Sequence, residues 1–219
     1  MTSVDQDAAL RSDTLVQIGV VAGAVLAIVA AILTSSLPSP LPWAELVLTL
    51  GAAAATRHFG LPLPGKGFAS FVLAVVLFAI LRHGWAWGAL VALLGMPAGD
   101  LIFRRLRLRA AIINVGHLTF GSALVGRGYL MIGGSTGPAA LSAPNSVALL
   151  ALLLALPVVV NATFELELAL SQAVAWVDAL LTLRWEAVVF ALSAALAIGW
   201  FAVSVMPAPV GFKLAVEVA

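Results

Sequence analysis

No cysteine occurs among the 219 residues, so disulfides, thiolate metal sites, iron–sulfur ligation and cysteine nucleophiles are excluded together. Charge is nearly as scarce, at 10% of the chain. Ten acidic and eleven basic residues leave a net charge of +1, which gives no field for nucleic acid. Catalytic signatures are missing as well. There is no P-loop and no HExxH, and Gly121-Ser122 lacks the second half of a nucleophile elbow. Gly133-Gly134-Ser135-Thr136-Gly137 is glycine-rich without a following Lys-Ser/Thr, so it reads as a flexible loop. No polar stretch is long enough to bury a soluble core, and no internal repeat suggests an inverted-repeat transporter. The chain is not expected to be an enzyme.

What remains is apolar residue in long runs: 63% of the sequence, with mean hydropathy +1.13. A bilayer core about 30 Å thick takes roughly 20 such residues per helix. Lipid also demands that backbone groups pair within the segment. Strand-built barrels would show short alternating segments instead. The expected fold is therefore an all-α, polytopic transmembrane helical bundle of about seven spans. These fall near 16–34, 43–55, 68–81, 85–103, 110–131, 147–168 and 187–205, with an amphipathic piece near 171–185. Residues 1–15 form an N-terminal tail, 16–206 the helical domain and 207–219 a C-terminal tail. The first residues lack the basic region and cleavage site of a secretory signal, so the first run is expected to be retained. Asn161-Ala162-Thr163 matches a glycosylation pattern but falls inside a span, where it carries no meaning.

Lys and Arg mark the cytoplasmic side of short loops. Placing Arg104, Arg105, Arg107 and Arg109 in the cytoplasm as anchors puts Arg11, Arg57, Lys66 and Arg184 there too, against Arg82, Arg127 and Lys213 outside. The N-terminus is then cytoplasmic. Trp43, Trp85, Trp87 and Tyr129 are expected as an outer aromatic belt, Trp176 and Trp185 as an inner one.

Two groups of residues stand out. Gly84, Gly88, Gly95 and Gly99 form a small-residue seam along one helix, and Gly19 and Gly23 a second. Such seams let helix backbones approach closely in lipid, either within this chain or against another subunit. Polar groups inside apolar spans are costly and need a partner or a role. Asp100 and Arg104 are spaced as an i,i+4 helix pair. Asn114 and His117 lie one turn apart on the fifth span, Asn161 and Glu165 one turn apart on the sixth. If those helices touch, the four form a polar cluster that ties helices together, binds a small ligand or takes up protons. Gly116 and Gly121 beside His117 would leave room for a flat ring, so tetrapyrrole ligation at His117 is a lesser reading. His58 and His83 fall on opposite sides and cannot share a haem. No metal site is expected.

Pro64-Gly65-Lys66-Gly67-Phe68-Ala69-Ser70, the turn at Gly84, the Arg-rich loop and Ile113-Asn114-Val115-Gly116-His117 together resemble a recurring layout. It is similar to the multi-helix membrane input region that precedes bacterial cyclic-di-GMP signalling domains of the GGDEF and HD-GYP types. Those regions often read Phe-Asn-Ala-Ala-Gln at 113–117 and carry an Asn late in the next span, which Asn161 matches. His117 stands where that pattern usually has Gln. The resemblance covers about residues 52–202 and implies a membrane region that senses or dimerises.

The expected function is a non-catalytic integral protein of the bacterial inner membrane. As an accessory or structural subunit it would pack by glycine-lined faces among lipids and other membrane subunits. The alternative is a sensory or small-ligand-binding input module, with a substrate-capturing transporter component third.

Overall fold

The computed structural model describes residues 14–15, 17–27, 29–30, 42–63, 67–170 and 176–205. The expected C-terminal tail and residues 1–13 lie outside them, as do Arg11, Lys66 and Lys213 and the side chains of Trp176, Arg184 and Trp185.

The architecture is helical, with α1 at Gln17–Ala27 and a further six α-helices among the described residues. These are α2 (Trp43–His58), α3 (Val72–His83), α4 (Trp85–Ala98), α5 (Leu108–Met131), α6 (Ser146–Leu170) and α7 (Trp176–Val205). Among the described residues, four helical stretches are long and apolar enough to cross a membrane: Trp85–Phe103, Leu108–Met131, Ala143–Leu166 and Glu186–Val205. Their outward faces carry Ile112, Leu124, Leu154, Val158 and Leu196, all exposed. Large apolar side chains left bare all round a bundle fit an integral membrane protein, whose solvent is lipid.

Successive helices alternate in direction. The end of α2 meets the turn just after α4 and the segment just before α3 through Arg57, Asp100 and Ser70. The start of α2 meets the end of α3 through Glu45, Arg82 and His83. Gly84 joins α3 to α4 at φ 100° and ψ 176°, a region only glycine enters without strain. Trp85 on α4 faces Gly126 near the end of α5. Two ends result, one holding Arg57, Asp100 and the Arg104–Arg109 turn, the other Arg82, His83 and Tyr129.

The third expected span differs most from the sequence reading. Its first residues are not helical: Leu61–Leu63 (β1) pairs antiparallel with Gly67–Ala69 (β2). The helix begins only at Val72 and runs 12 residues, about 18 Å at 1.5 Å per residue. That is too short for a lipid-facing span, and α3 is instead buried from Val72 to Leu81 with the sole exception of Leu73. It packs against α2, α4 and α7, with Phe78 stacked on Trp200 at 4.2 Å. Pro62 suits a two-stranded ribbon, where no neighbouring strand needs its missing N–H.

Other boundaries shifted for local reasons. The amphipathic piece and the last span merge into α7, although 171–175 lie outside the described residues. The glycine-rich 133–145 segment contains two short 3₁₀ turns, Gly137–Leu141 and Ala143–Asn145. It is pinned by hydrogen bonds rather than left as a loop. Tyr129 Oη donates to the Ser135 carbonyl at 2.5 Å. Asn145 Nδ2 donates to Tyr129 Oη at 2.7 Å and to the Ala140 carbonyl, while its Oδ1 accepts from the Ser135 N–H at 2.9 Å. Removing a buried side chain that satisfies several partners costs about 1–3 kcal/mol. Asn145→Ala is accordingly expected to lower stability by that amount in a detergent unfolding titration, with Ser146→Ala, an exposed control, near zero.

The aromatic belt is also corrected. Trp43 is exposed, but Trp85, Trp87 and Tyr129 are buried in the bundle. They sit at the expected end and fill protein space there instead of facing head groups.

Candidate functional site

Pro97 near the end of α4 supplies no N–H to the carbonyl one turn earlier, and the helix widens into a π turn over Gly99–Phe103. Such turns re-aim side chains and recur at functional sites. Here the turn carries Asp100, which is fully buried. Gly99 lets α2 come close: a Cβ there would lie 2.6 Å from the Arg57 Cβ and 2.8 Å from the Ala54 carbonyl.

That approach creates a buried ion pair. Arg57 Nε donates to Asp100 Oδ1 at 2.8 Å, and its Nη2 lies 2.5 Å from the same oxygen. Arg57 Nη1 donates to Ser70 Oγ at 2.9 Å. Arg104 Nη1 reaches Asp100 Oδ1 at 3.3 Å, and Asn114 Nδ2 donates to Oδ2 at 3.1 Å. Asp100 thus accepts from three side chains on three different parts of the chain. The i,i+4 pair with Arg104 is present, but Arg57 is the closer partner. Arg57 itself is not a loop cation: it lies in the last turn of α2 and is 5% exposed.

Beside this network lies a cavity of about 260 Å³. Arg57, Ser70, Arg104, Asn114, His117, Asn161 and Glu186 contribute its polar lining. Apolar walls come from Leu73, Met96, Leu118, Phe164, Val189 and Phe190. His117 Nδ1 lies 2.9 Å from Thr163 Oγ1, whose own hydroxyl donates to the Val160 carbonyl at 2.9 Å. A hydroxyl has one hydrogen, so in this arrangement Thr163 accepts and Nδ1 carries the proton. The Phe164 ring packs against the imidazole in a T-shaped contact, with centroids 5.8 Å apart.

Of the four residues expected to cluster, Asn114, His117 and Asn161 share this cavity and Glu165 does not line it. The carboxylate that does is Glu186, just before the seventh expected span and inside α7. Arg105, Arg107 and Arg109 are exposed around the turn beyond α4, and Arg109 donates to Gln17 Oε1 on α1 at 3.0 Å.

The glycine seam is turned inward. A Cβ on Gly88 would overlap Ile80 and lie 3.3 Å from the Val76 carbonyl of α3. One on Gly95 would lie 2.6 Å from the Ala53 Cβ and 3.3 Å from the Leu50 carbonyl of α2. Gly23 abuts the Phe120 ring, while Gly19 has nothing within 4 Å. From Gly88 to Gly99 the seam is therefore filled by this chain's own α2 and α3 and is not an open face. The room expected at Gly116 and Gly121 is filled too: Gly116 packs on Val20 and Val21 of α1 and Gly121 on Val160 of α6, so neither glycine opens a slot for a flat ring beside His117. His58 and His83 lie at the ends of α2 and α3, at opposite ends of the bundle. Among the described residues no group of three or more His, Asp or Glu could hold a metal ion.

Arg57, Ser70 and Glu186 were missed in the sequence. A cation and a hydroxyl flanking a Pro/Gly stretch look like loop residues, and Glu186 follows an amphipathic segment that reads as surface. The available signal was pairwise: a lone buried Asp in one span requires a cation from another.

No family model, curated protein or solved structure matches this chain.

Proposed function

We propose that this chain is a non-catalytic membrane module that binds a small polar molecule within its own helix bundle, the sensory reading of the sequence. The observation that carries it is the polar cavity built around the buried Arg57–Asp100 pair. Fixed charges inside an apolar bundle are costly and belong by default to function. Here they are held in place by Ser70, Asn114 and Arg104 and adjoin space that a ligand can fill. Binding-site construction of this kind needs side chains locked by their own partners.

In this reading all seven helices pass through the bilayer, with the short α3 sheltered by its neighbours. The arginine-rich end lies in the cytoplasm of a bacterial inner membrane. The alternating helix directions support this topology, and the excess of Lys and Arg at that end supports its orientation. The resemblance to input regions of cyclic-di-GMP signalling proteins supports a sensing role. The accessory-subunit reading loses the support of the glycine seam, because those glycines are occupied within the chain.

The test is a thermal-shift screen of the purified protein in mild detergent against a pool of small metabolites. A saturable rise in Tm is expected, and Asn161→Phe, which fills the cavity, should abolish it. If no pool component shifts Tm and the protein co-purifies in a stoichiometric larger assembly, the subunit reading replaces this one.

A further inference from the structure

We propose that the groove where α1 lies along the start of α5 binds one anionic phospholipid, its phosphate held by Arg105, Arg107 and Arg109 and an acyl chain laid along the groove. The site is on the outer surface of the bundle and is independent of the inner cavity.

The first observation is how α1 sits on α5. Arg109 donates to Gln17 at 3.0 Å. Further along, Gly116 packs on Val20 and Val21, and Gly23 on the Phe120 ring. Residue numbers rise together on the two helices, so they run parallel and both begin at the arginine-rich end. The two glycines let them close up there. Beside their first turns a groove is left, walled by Ile18, Val21 and Ala22 of α1 and by Leu108, Ile112 and Ile113 of α5. Ile18, Leu108 and Ile112 are exposed. An apolar groove open to lipid takes a hydrocarbon chain and is indifferent to the head group above it.

The second observation is the charge at the mouth of the groove. Arg105, Arg107 and Arg109 are exposed and fall within five residues, a stretch of at most about 14 Å. Among the described residues no carboxylate pairs with any of the three. Arg109 is held at the groove itself, by the neutral amide of Gln17. Arg104 belongs to the Asp100 network and is not counted here. Arg105 has φ 51°, the left-handed region, alone among the described non-glycine residues. The chain therefore turns sharply between the π turn and α5, and the three cations stay close. Like charges so near one another repel until an anion joins them.

The two observations fit one molecule. Guanidinium forks match phosphate oxygens, and basic pockets beside membrane helices hold anionic head groups. Free phosphate would leave the groove empty, and a neutral lipid would leave the arginines unmatched. An anionic phospholipid uses both.

The test is native mass spectrometry of the full chain, released from neutral detergent with equimolar phosphatidylglycerol and phosphatidylcholine of the same chain length. Phosphatidylglycerol is expected to be retained about tenfold or more over phosphatidylcholine, and Arg105→Gln/Arg107→Gln to cut that ratio about fivefold or more. This variant keeps the Arg109–Gln17 contact. Ile112→Trp, which fills the groove, should lower phosphatidylglycerol retention with the arginines intact. Arg127→Gln, an exposed cation at the other end, should leave the ratio unchanged. The lipid-free Tm of each variant identifies any that misfolds. Equal retention of the two lipids overturns the proposal, as does a ratio that Arg105→Gln/Arg107→Gln does not change. Displacement of the lipid by glycerophosphate, with no effect of Ile112→Trp, also overturns it, because the site would then be one for bare phosphate. So does an acidic protein that co-purifies with the parent, is lost from the arginine variant and leaves no lipid preference. Asn161→Phe should not alter the lipid ratio, so this proposal and the ligand-binding reading of the cavity can fail separately.

Discussion

Asp100→Asn is expected to lower the unfolding free energy by about 3–5 kcal/mol, the usual cost of removing one partner from a buried ion pair. The substitution keeps the shape of the side chain and deletes its charge. Arg57, 5% exposed at the end of α2, would then face a neutral amide. Arg104 would lose the same partner, but it is more exposed and can turn toward water. The Asn114 amide, which donates to Oδ2, would meet an amide that is both donor and acceptor, so one of the surrounding donors is left unmatched. Unfolding by denaturant in mixed micelles gives the number. A loss below about 1 kcal/mol would mean that Arg57 reaches solvent and that the pair is a surface feature.

Gly88→Leu is expected to prevent accumulation of folded protein altogether. Even a single methyl at this position would overlap Ile80 and press the Val76 carbonyl. Overpacking a close-packed core costs about 1–3 kcal/mol for modest insertions, and four carbons driven between α3 and α4 exceed that. Gly19→Leu is the control: with nothing within 4 Å of its would-be Cβ, it should leave Tm unchanged. Gly88→Ala combined with Ile80→Ala should recover part of the loss by vacating the contacted space. The contrast separates two uses of small residues. If Gly88→Leu folds as a stable monomer but loses a partner subunit, the seam is a docking face after all.

Much of the architecture was legible because lipid leaves so few choices. Long apolar runs bounded by Arg, Pro and Gly gave α4, α5 and α6 to within a few residues. The third span failed because hydropathy registers burial without distinguishing lipid from protein. Residues 68–81 read as one apolar run, yet its first residues belong to a two-stranded ribbon and the rest is a short helix surrounded by other helices. The site was half legible. Asn114, His117 and Asn161 stand out as polar residues in apolar helices, and all three line the cavity. Glu165 was grouped with them on helical spacing alone, but spacing fixes a residue's height and face on its own helix, not which neighbour it meets. Arg57 was hidden because a cation at a helix end satisfies the positive-inside rule and an intramembrane ion pair equally well. Only the close approach at Gly99, a three-dimensional fact, decides between them.

The buried Arg57–Asp100 pair, as the organiser of the polar cavity, is tested most directly by a double-mutant cycle with Arg57→Met, Asp100→Leu and the combined variant. Pairs in direct contact couple by about 0.5–3 kcal/mol, whereas distant ones add within ~0.5 kcal/mol. The expected result is strong coupling of about 2 kcal/mol or more, with the double variant more stable than either single one. Simple additivity of the two losses would contradict it.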